Sequence, residues 1–366
     1  MTHRIVVLGA GYAGLPAAKL MARRLRREDV TVTLVNAVDV FVERVRLHQL
    51  AAGQQLPSLP LSELLAGTGV ELVVAKVTGV DADRRQVHLD GRSIGYDTLV
   101  YALGSAADVD AVPGVAENCF TVASAAEAMR LRRQVAELEL LTVVGGGLTG
   151  IEAAAELAES HPRLGVQLVT SGSFGGWLSR RAQRHLRATF DRLGIHVHEH
   201  TSVAEVRGGK VLSTENAAIS ADAVLWAGGF QVSSMAATAG LAVDPRGRIV
   251  VDATLRSVSH PDVYGVGDAA VAPTIAGRRT RMSCQSGLPM GAYVGAAISR
   301  RLTGRDPRPS RLRYVWTNIS LGRRDAITQF THADDTSRGS MLTGRTAAAF
   351  KELVTRGTVV AMRAVG

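Results

Sequence analysis

A chain of 366 residues with 46% hydrophobic content is long enough for about two or three domains with real cores, and its 4% of aromatics leaves Val, Leu and Ala to fill them. The net charge of +9 rests almost wholly on arginine. Apart from Arg23, Arg24, Arg26 and Arg27 these arginines are interspersed with acids, and no stacking-aromatic motif is present, so the balance reads as a solvated surface and not as a nucleic-acid-binding face. Cys119 and Cys284 form no metal-type cluster, no run reaches about 18 apolar residues, and the chain enters a strand without a signal peptide, so a cytoplasmic protein with no metal and no membrane span is expected.

Residues 5–8, Ile-Val-Val-Leu, form a short β-branched run suited to a buried parallel strand. Gly9-Ala10-Gly11-Tyr12-Ala13-Gly14 follows, then a helical pattern through Leu15, Ala18, Leu20, Met21 and Leu25, then a second strand over 30–35. A Gly-x-Gly-x-x-Gly turn in that context predicts a dinucleotide site. Gly9 permits the tight turn, Gly11 lets the backbone approach a pyrophosphate, and Gly14 lets the helix lie close on the strand. The free N–H groups of the helix start attract the phosphates. The second strand ends in Asn36, where an Asp or Glu usually bonds a ribose hydroxyl; the amide oxygen can accept such a bond without charge. The loop over 39–48 should return across the carboxyl edge of the sheet, bringing Arg46 and His48 toward a cofactor, His48 either as a proton donor or as a hydrogen-bonded structural residue.

Residues 70–104 read as β structure: a strand over 70–74, a hairpin over 77–90 turning at 81–85, and a strand over 96–104 that ends in Gly104. Ala111-Val112-Pro113-Gly114 is a linker signal. The second half then repeats the first. A helix over 123–138 leads to a strand over 141–144, the turn Gly145-Gly146-Gly147-Leu148-Thr149-Gly150, a helix over 151–159 and a strand over 166–170. Two such turns, each in the right context, predict two dinucleotides on two similar domains. Glu152 falls in the first turn of the second helix, either as a carboxylate favoured by the dipole or as a group beside the bound nucleotide. Thr170 replaces the ribose-binding acid, which removes repulsion against a 2′-phosphate. Arg180 or Arg181 would attract one if either reached the site, and this tilts the choice slightly to NADPH.

Strand patterns resume over 194–199, 203–206, 210–212 and 221–226, the last followed by Ala227-Gly228-Gly229. Asp268 lies in a turn after a strand, at what reads as a helix start, and a long helix runs from about 285 to 302. From 311 the chain carries two or three strands and a last helix over 346–355. The fold expected is α/β, with two Rossmann-like dinucleotide-binding domains, the first over 1–110 and 253–310 and the second over 111–252, and a small α+β C-terminal region over 311–366.

These motifs together resemble the two-dinucleotide-binding-domain flavoproteins over residues 4–330, in particular the branch of type II NADH dehydrogenases. The resemblance implies FAD on the first unit and NAD(P)H on the second. It also implies Asp268 at the flavin ribitol, the Val77 backbone at the adenine, Glu152 near the nicotinamide, and Gly104 and Gly228 among the cofactor-binding glycines. The Cys-x-x-x-x-Cys of disulfide reductases and the Cys-x-x-Cys of thioredoxin reductases are both missing, so the flavin is expected to reduce its acceptor directly. Cys284-Gln285-Ser286-Gly287-Leu288-Pro289 lines up with the Ala-Gln-x-x-x-Gln quinone motif; Gln285 matches and Pro289 replaces the second Gln. The last segment, 347–364, is short and weakly amphipathic, which favours a soluble small-molecule acceptor with at most weak peripheral membrane contact, in a monomer or homodimer. Transfer to a protein acceptor, as in ferredoxin reductases, and a nucleotide-binding redox sensor with little turnover are the alternatives.

Overall fold

The computed structural model describes residues 2–25 and 29–364; Arg26 and Arg27 of the basic cluster lie outside the described residues. One sheet has five parallel strands in the order Val263–Gly265, Thr98–Tyr101, His3–Leu8, Val30–Asn36 and Glu71–Val74. Its central strand is covered on both faces, with Ile5, Val7 and Leu8 fully buried, which is why that stretch is continuously apolar instead of alternating. A second sheet repeats the arrangement in the order Cys119–Phe120, Ala223–Trp226, Leu140–Val144, Gly165–Val169 and His196–His198, again all parallel. In each sheet the strand that leads into a glycine turn is central, so the two turns open on the carboxyl edges of their sheets.

The helix Gly14–Arg24 packs against the long helix Cys284–Leu302. Gly287, Gly291 and Gly295, four residues apart, line the contact; a Cβ on Gly291 would sit 2.1 Å from the Ala13 carbonyl oxygen. These small residues let the long helix bring its N-terminus over the first glycine turn. Ser283 caps that helix, its hydroxyl accepting from the Ser286 N–H at 3.3 Å.

The C-terminal region is an antiparallel sheet of Trp316–Ser320, Ala326–Thr331 and Ser337–Thr343, followed by the helix Gly344–Ala364. That helix runs well beyond the 346–355 expected from the sequence. Its length is supported by tertiary contacts that local pattern does not show: Lys19 Nζ donates to the Met362 carbonyl at 2.6 Å, Arg46 pairs with Glu352 at 2.8 Å, and Phe350 meets Trp316 edge-on. Leu353 and Val360 of this helix face solvent. The helix Arg180–Arg192, which the sequence reading passed over, buries Ala182, Leu186, Thr189 and Phe190 along one face; its five arginines mask that spacing. Asp268 lies in a short 3-10 turn, Gly267–Ala269, not at the start of a longer helix. No helix among the described residues is long and apolar enough to cross a membrane.

Candidate functional site

A cavity of about 820 Å³ lies between the two sheets, and both glycine turns form part of its wall, with the start of the long helix and one face of the C-terminal helix between them. The two turns are built alike. Gly9 has φ +94° and Gly145 φ +124°, in the region that glycine adopts without strain. Gly14 and Gly150 are packed so tightly that a Cβ would fall 1.8 Å and 1.9 Å from the carbonyl oxygens of Gly9 and Gly145. Gly11 and Gly147 face open space, with nothing within 4 Å of where a Cβ would stand. The outer glycines thus shape the turn and the middle one leaves room beside a bare backbone, the geometry a pyrophosphate requires.

Beside the first turn, Asp268 accepts a hydrogen bond from Ser105 Oγ at 2.7 Å and lies 3.8 Å from Arg44 Nη1. Arg44 also reaches Ser105 at 3.4 Å and stands over the Phe230 ring. Gly104, at φ +70°, is on the same wall. Three residues expected here are turned to other partners. Asn36 accepts from the Ala10 N–H at 2.8 Å and donates to the Val38 carbonyl at 2.7 Å, so its amide braces the glycine turn from behind. Arg46 is drawn from the cavity wall by Glu43 at 3.2 Å and Glu352 at 2.8 Å. Val77 pairs with Leu89 in the outlying hairpin and is not on the wall.

Between the two turns stand Glu152 and Gln285. The helix after the second turn is Leu148–Ser160, so Glu152 lies in its second turn, beyond the reach of the dipole; what holds it is tertiary. Its Oε1 accepts from the Ser320 N–H at 3.0 Å and pairs with Lys351 of the C-terminal helix. Burial pushes this carboxyl up, but the Lys351 ammonium, with the Ser320 N–H, holds it below the usual glutamate value. His48 is buried on the same wall and its Nε2 has no partner. Burial drives its pKa down to about 3 against the pull of Glu152, which keeps the ring neutral at physiological pH and removes it as an imidazolium donor. Gln285 is not the helix cap. Its amide oxygen accepts from Arg281, which is itself anchored to Asp335 at 2.9 Å and Thr317 at 3.2 Å. Pro289 removes the N–H that would bond the Gln285 carbonyl within the helix.

At the far end the wall carries Thr170, Ser171, Trp177, Thr201 and Gly228. Arg180 and Arg181 are exposed at the start of their helix and do not line the cavity; no Lys or Arg of the second unit does so among the described residues. The side chains that the sequence reading missed are Arg44, Ser105, Trp177, Arg281 and Lys351. One signal was available for the last: lysine occurs only four times in this arginine-rich chain, and Lys19 and Lys351 are both engaged in tertiary hydrogen bonds.

The model of the pyridine nucleotide-disulphide oxidoreductase family matches residues 3–292. The chain belongs to that family. This oxidoreductase is 33% identical over 352 residues to an NADH dehydrogenase-like protein of Mycobacterium tuberculosis, with 88% of the chain and 87% of that protein covered. It is 24% identical over 396 residues to the type II NADH:quinone oxidoreductase of Staphylococcus saprophyticus, covering 99% and 96%. Its fold is shared with the sulfide:quinone oxidoreductase of Aquifex aeolicus, at a TM-score of 0.83 and 20% identity, over 100% of this chain and 92% of that one. As a member of the family it is an enzyme, and its cofactors are FAD and NAD(P)H. Cys119 is buried at the edge of the second sheet and Cys284 opens the long helix; neither is in a disulfide.

Proposed function

We propose that this oxidoreductase passes a hydride from NADH through FAD to a quinone or similar small organic acceptor, without a redox-active disulfide. One observation carries the reading: the two glycine turns open into a single cavity, and Glu152 and Gln285 stand on its wall between them. The naming of relatives as NADH dehydrogenase-like and NADH:quinone proteins supports it. In this reading the first turn, with Gly104 and Asp268, holds FAD, and the second turn, with Thr170 and Gly228, holds the nicotinamide nucleotide. Bound there, FAD would supply the two-electron chemistry between nucleotide and acceptor, while the chain supplies orientation and charge. The free N–H groups at the start of the long helix, with Gln285 beside them, present partial positive charge to whatever binds there. Arg281 fixes the Gln285 amide so that its NH₂ group is left to donate. Asp268, buttressed by Ser105 and Arg44, offers a carboxylate to a polyol. The slight tilt to NADPH is replaced by NADH, because the missing acid at Thr170 is not accompanied by any cation on that part of the wall. A cytoplasmic location, with the acceptor reaching the cavity from solution or from a membrane surface, belongs to the same reading.

The test is direct. The purified protein is expected to be yellow, to release FAD on denaturation, to be bleached by NADH without oxygen, and to be reoxidised by a soluble quinone. Asp268→Ala should lower the ratio of flavin to protein. A colourless protein that takes up no FAD on reconstitution overturns the proposal.

A further inference from the structure

We infer that Trp177 is the stacking platform for the adenine base of the nicotinamide dinucleotide, an inference that rests on the second glycine turn holding that nucleotide. Trp177 is 45% exposed, and it stands on the cavity wall. The other two tryptophans are used within the fold: Trp226 is buried and donates its ring N–H to the Asp108 carbonyl at 2.8 Å, and Trp316 packs on Phe350. An indole left open to water on the rim of a cavity is a large apolar surface without a protein partner.

Its position selects the ligand group. In a parallel sheet of this topology the pyrophosphate lies at the glycine turn, and the adenosine half lies toward the end of the following strand. That strand is Gly165–Val169, and Thr170, Ser171 and Trp177 are on the loop that leaves it. The ribose-binding acid is absent there, and the neighbouring wall residues Val169, Thr201 and Val203 are small or aliphatic. Hydroxyls and methyls alone give an adenine little to hold, whereas any base offers a face to an indole.

The backbone of the loop that carries this indole is held on both sides of it. Phe174 is buried against Phe190, with its N–H bonded to Glu199 and its carbonyl accepting from Gln183 at 2.8 Å. Gly175, at φ +66°, makes the turn. The Trp177 carbonyl accepts from Ser337 Oγ at 3.1 Å, and Leu178 is buried behind it. The backbone that carries the ring is therefore placed before a ligand arrives, and no ordering of the loop opposes the stack.

The experiment measures binding of ADP-ribose and of nicotinamide mononucleotide to the FAD-loaded protein by calorimetry, for the wild type, Trp177→Ala and Trp177→Phe. Trp177→Ala is expected to weaken ADP-ribose about 10-fold, the scale of one base–aromatic stack, and to leave the mononucleotide and the flavin content unchanged. Trp177→Phe should recover most of the loss. ADP-ribose should also quench tryptophan fluorescence in the wild type and not in Trp177→Phe, a readout that survives if the alanine variant folds poorly. Unchanged affinity for ADP-ribose, or an equal loss for both fragments, overturns the assignment. A wild type that binds neither ADP-ribose nor NADH instead overturns the nucleotide role of the second turn, and this inference with it.

Discussion

The Lys351 ammonium is paired with the Glu152 carboxylate across 199 residues of chain, joining the C-terminal helix to the helix that follows the second glycine turn. Both side chains are largely buried and both line the cavity. The pair therefore ties the C-terminal region to the site and sets the charge of its central wall.

Removing one member should cost more than removing both. Lys351→Met leaves a buried carboxylate with only the Ser320 N–H, and a loss of about 3–5 kcal/mol in unfolding free energy is expected. Glu152→Gln combined with Lys351→Met should recover a large part of it. Denaturant titration of the wild type, both single variants and the double variant gives the coupling, and additive losses would show that the pair does not act as one unit.

Two neighbouring glycines should separate binding from folding. Gly147→Ala adds a methyl into open space, so the protein folds and binds FAD, while the Kd for NADH rises by about 10-fold or more as the methyl meets the pyrophosphate. Gly150→Ala drives a methyl to 1.9 Å from the Gly145 carbonyl oxygen and should lower the thermal midpoint and the yield of folded protein. NADH titration and thermal melts of both variants check the contrast.

Gln285→Leu should divide the two half-reactions. Reduction by NADH is expected to stay near normal if, as proposed, the nucleotide held by the second glycine turn meets the flavin on the Glu152 side. Oxidation by a quinone should slow by about tenfold, the scale of one lost hydrogen bond to a bound group. Stopped-flow absorbance measured separately for each half-reaction decides it; an unaffected oxidative step would place the acceptor elsewhere.

His48 should make the fold acid-sensitive at a mild pH. Its folded pKa of about 3 lies below the ordinary 6.5, so the unfolded chain binds the proton first. The stabilising contribution is complete above pH 6.5 and is lost as pH falls toward 3, at about 1.4 kcal/mol per pH unit. Asp97 and Glu199, with carboxyls held down to about 2 by Arg4 and Arg187, act in the same sense; their windows overlap only the acid end of the His48 window, below the range from pH 6.5 to 5. His48→Gln should flatten the fall in unfolding free energy between pH 6.5 and 5. A residual slope from His198, also pushed down by burial, is expected. An unchanged slope in the variant would show that His48 is not the group responsible.

The sequence by itself determined the two strand–turn–helix units, because each is encoded within about 30 consecutive residues. The β-branched runs before Gly9 and Gly145, the glycine spacing and the helical periodicity after it are local patterns, and local sterics enforce them. The family resemblance carried by these motifs also singled out Asp268, Gln285 and Glu152, and the fold puts all three on the cavity wall. Only the tertiary structure decided what those side chains touch. Asn36, Arg46 and Glu152 each carry polar atoms that bond whichever partner the packing brings within about 3 Å, and hydrogen-bond range is far shorter than the chain separations involved. Asn36 found Ala10 across 26 residues, Arg46 found Glu352 across 306, and Glu152 found Lys351. Arg46 thus left the cavity for a salt bridge, and Lys351, in a tail helix that local pattern made too short, entered it.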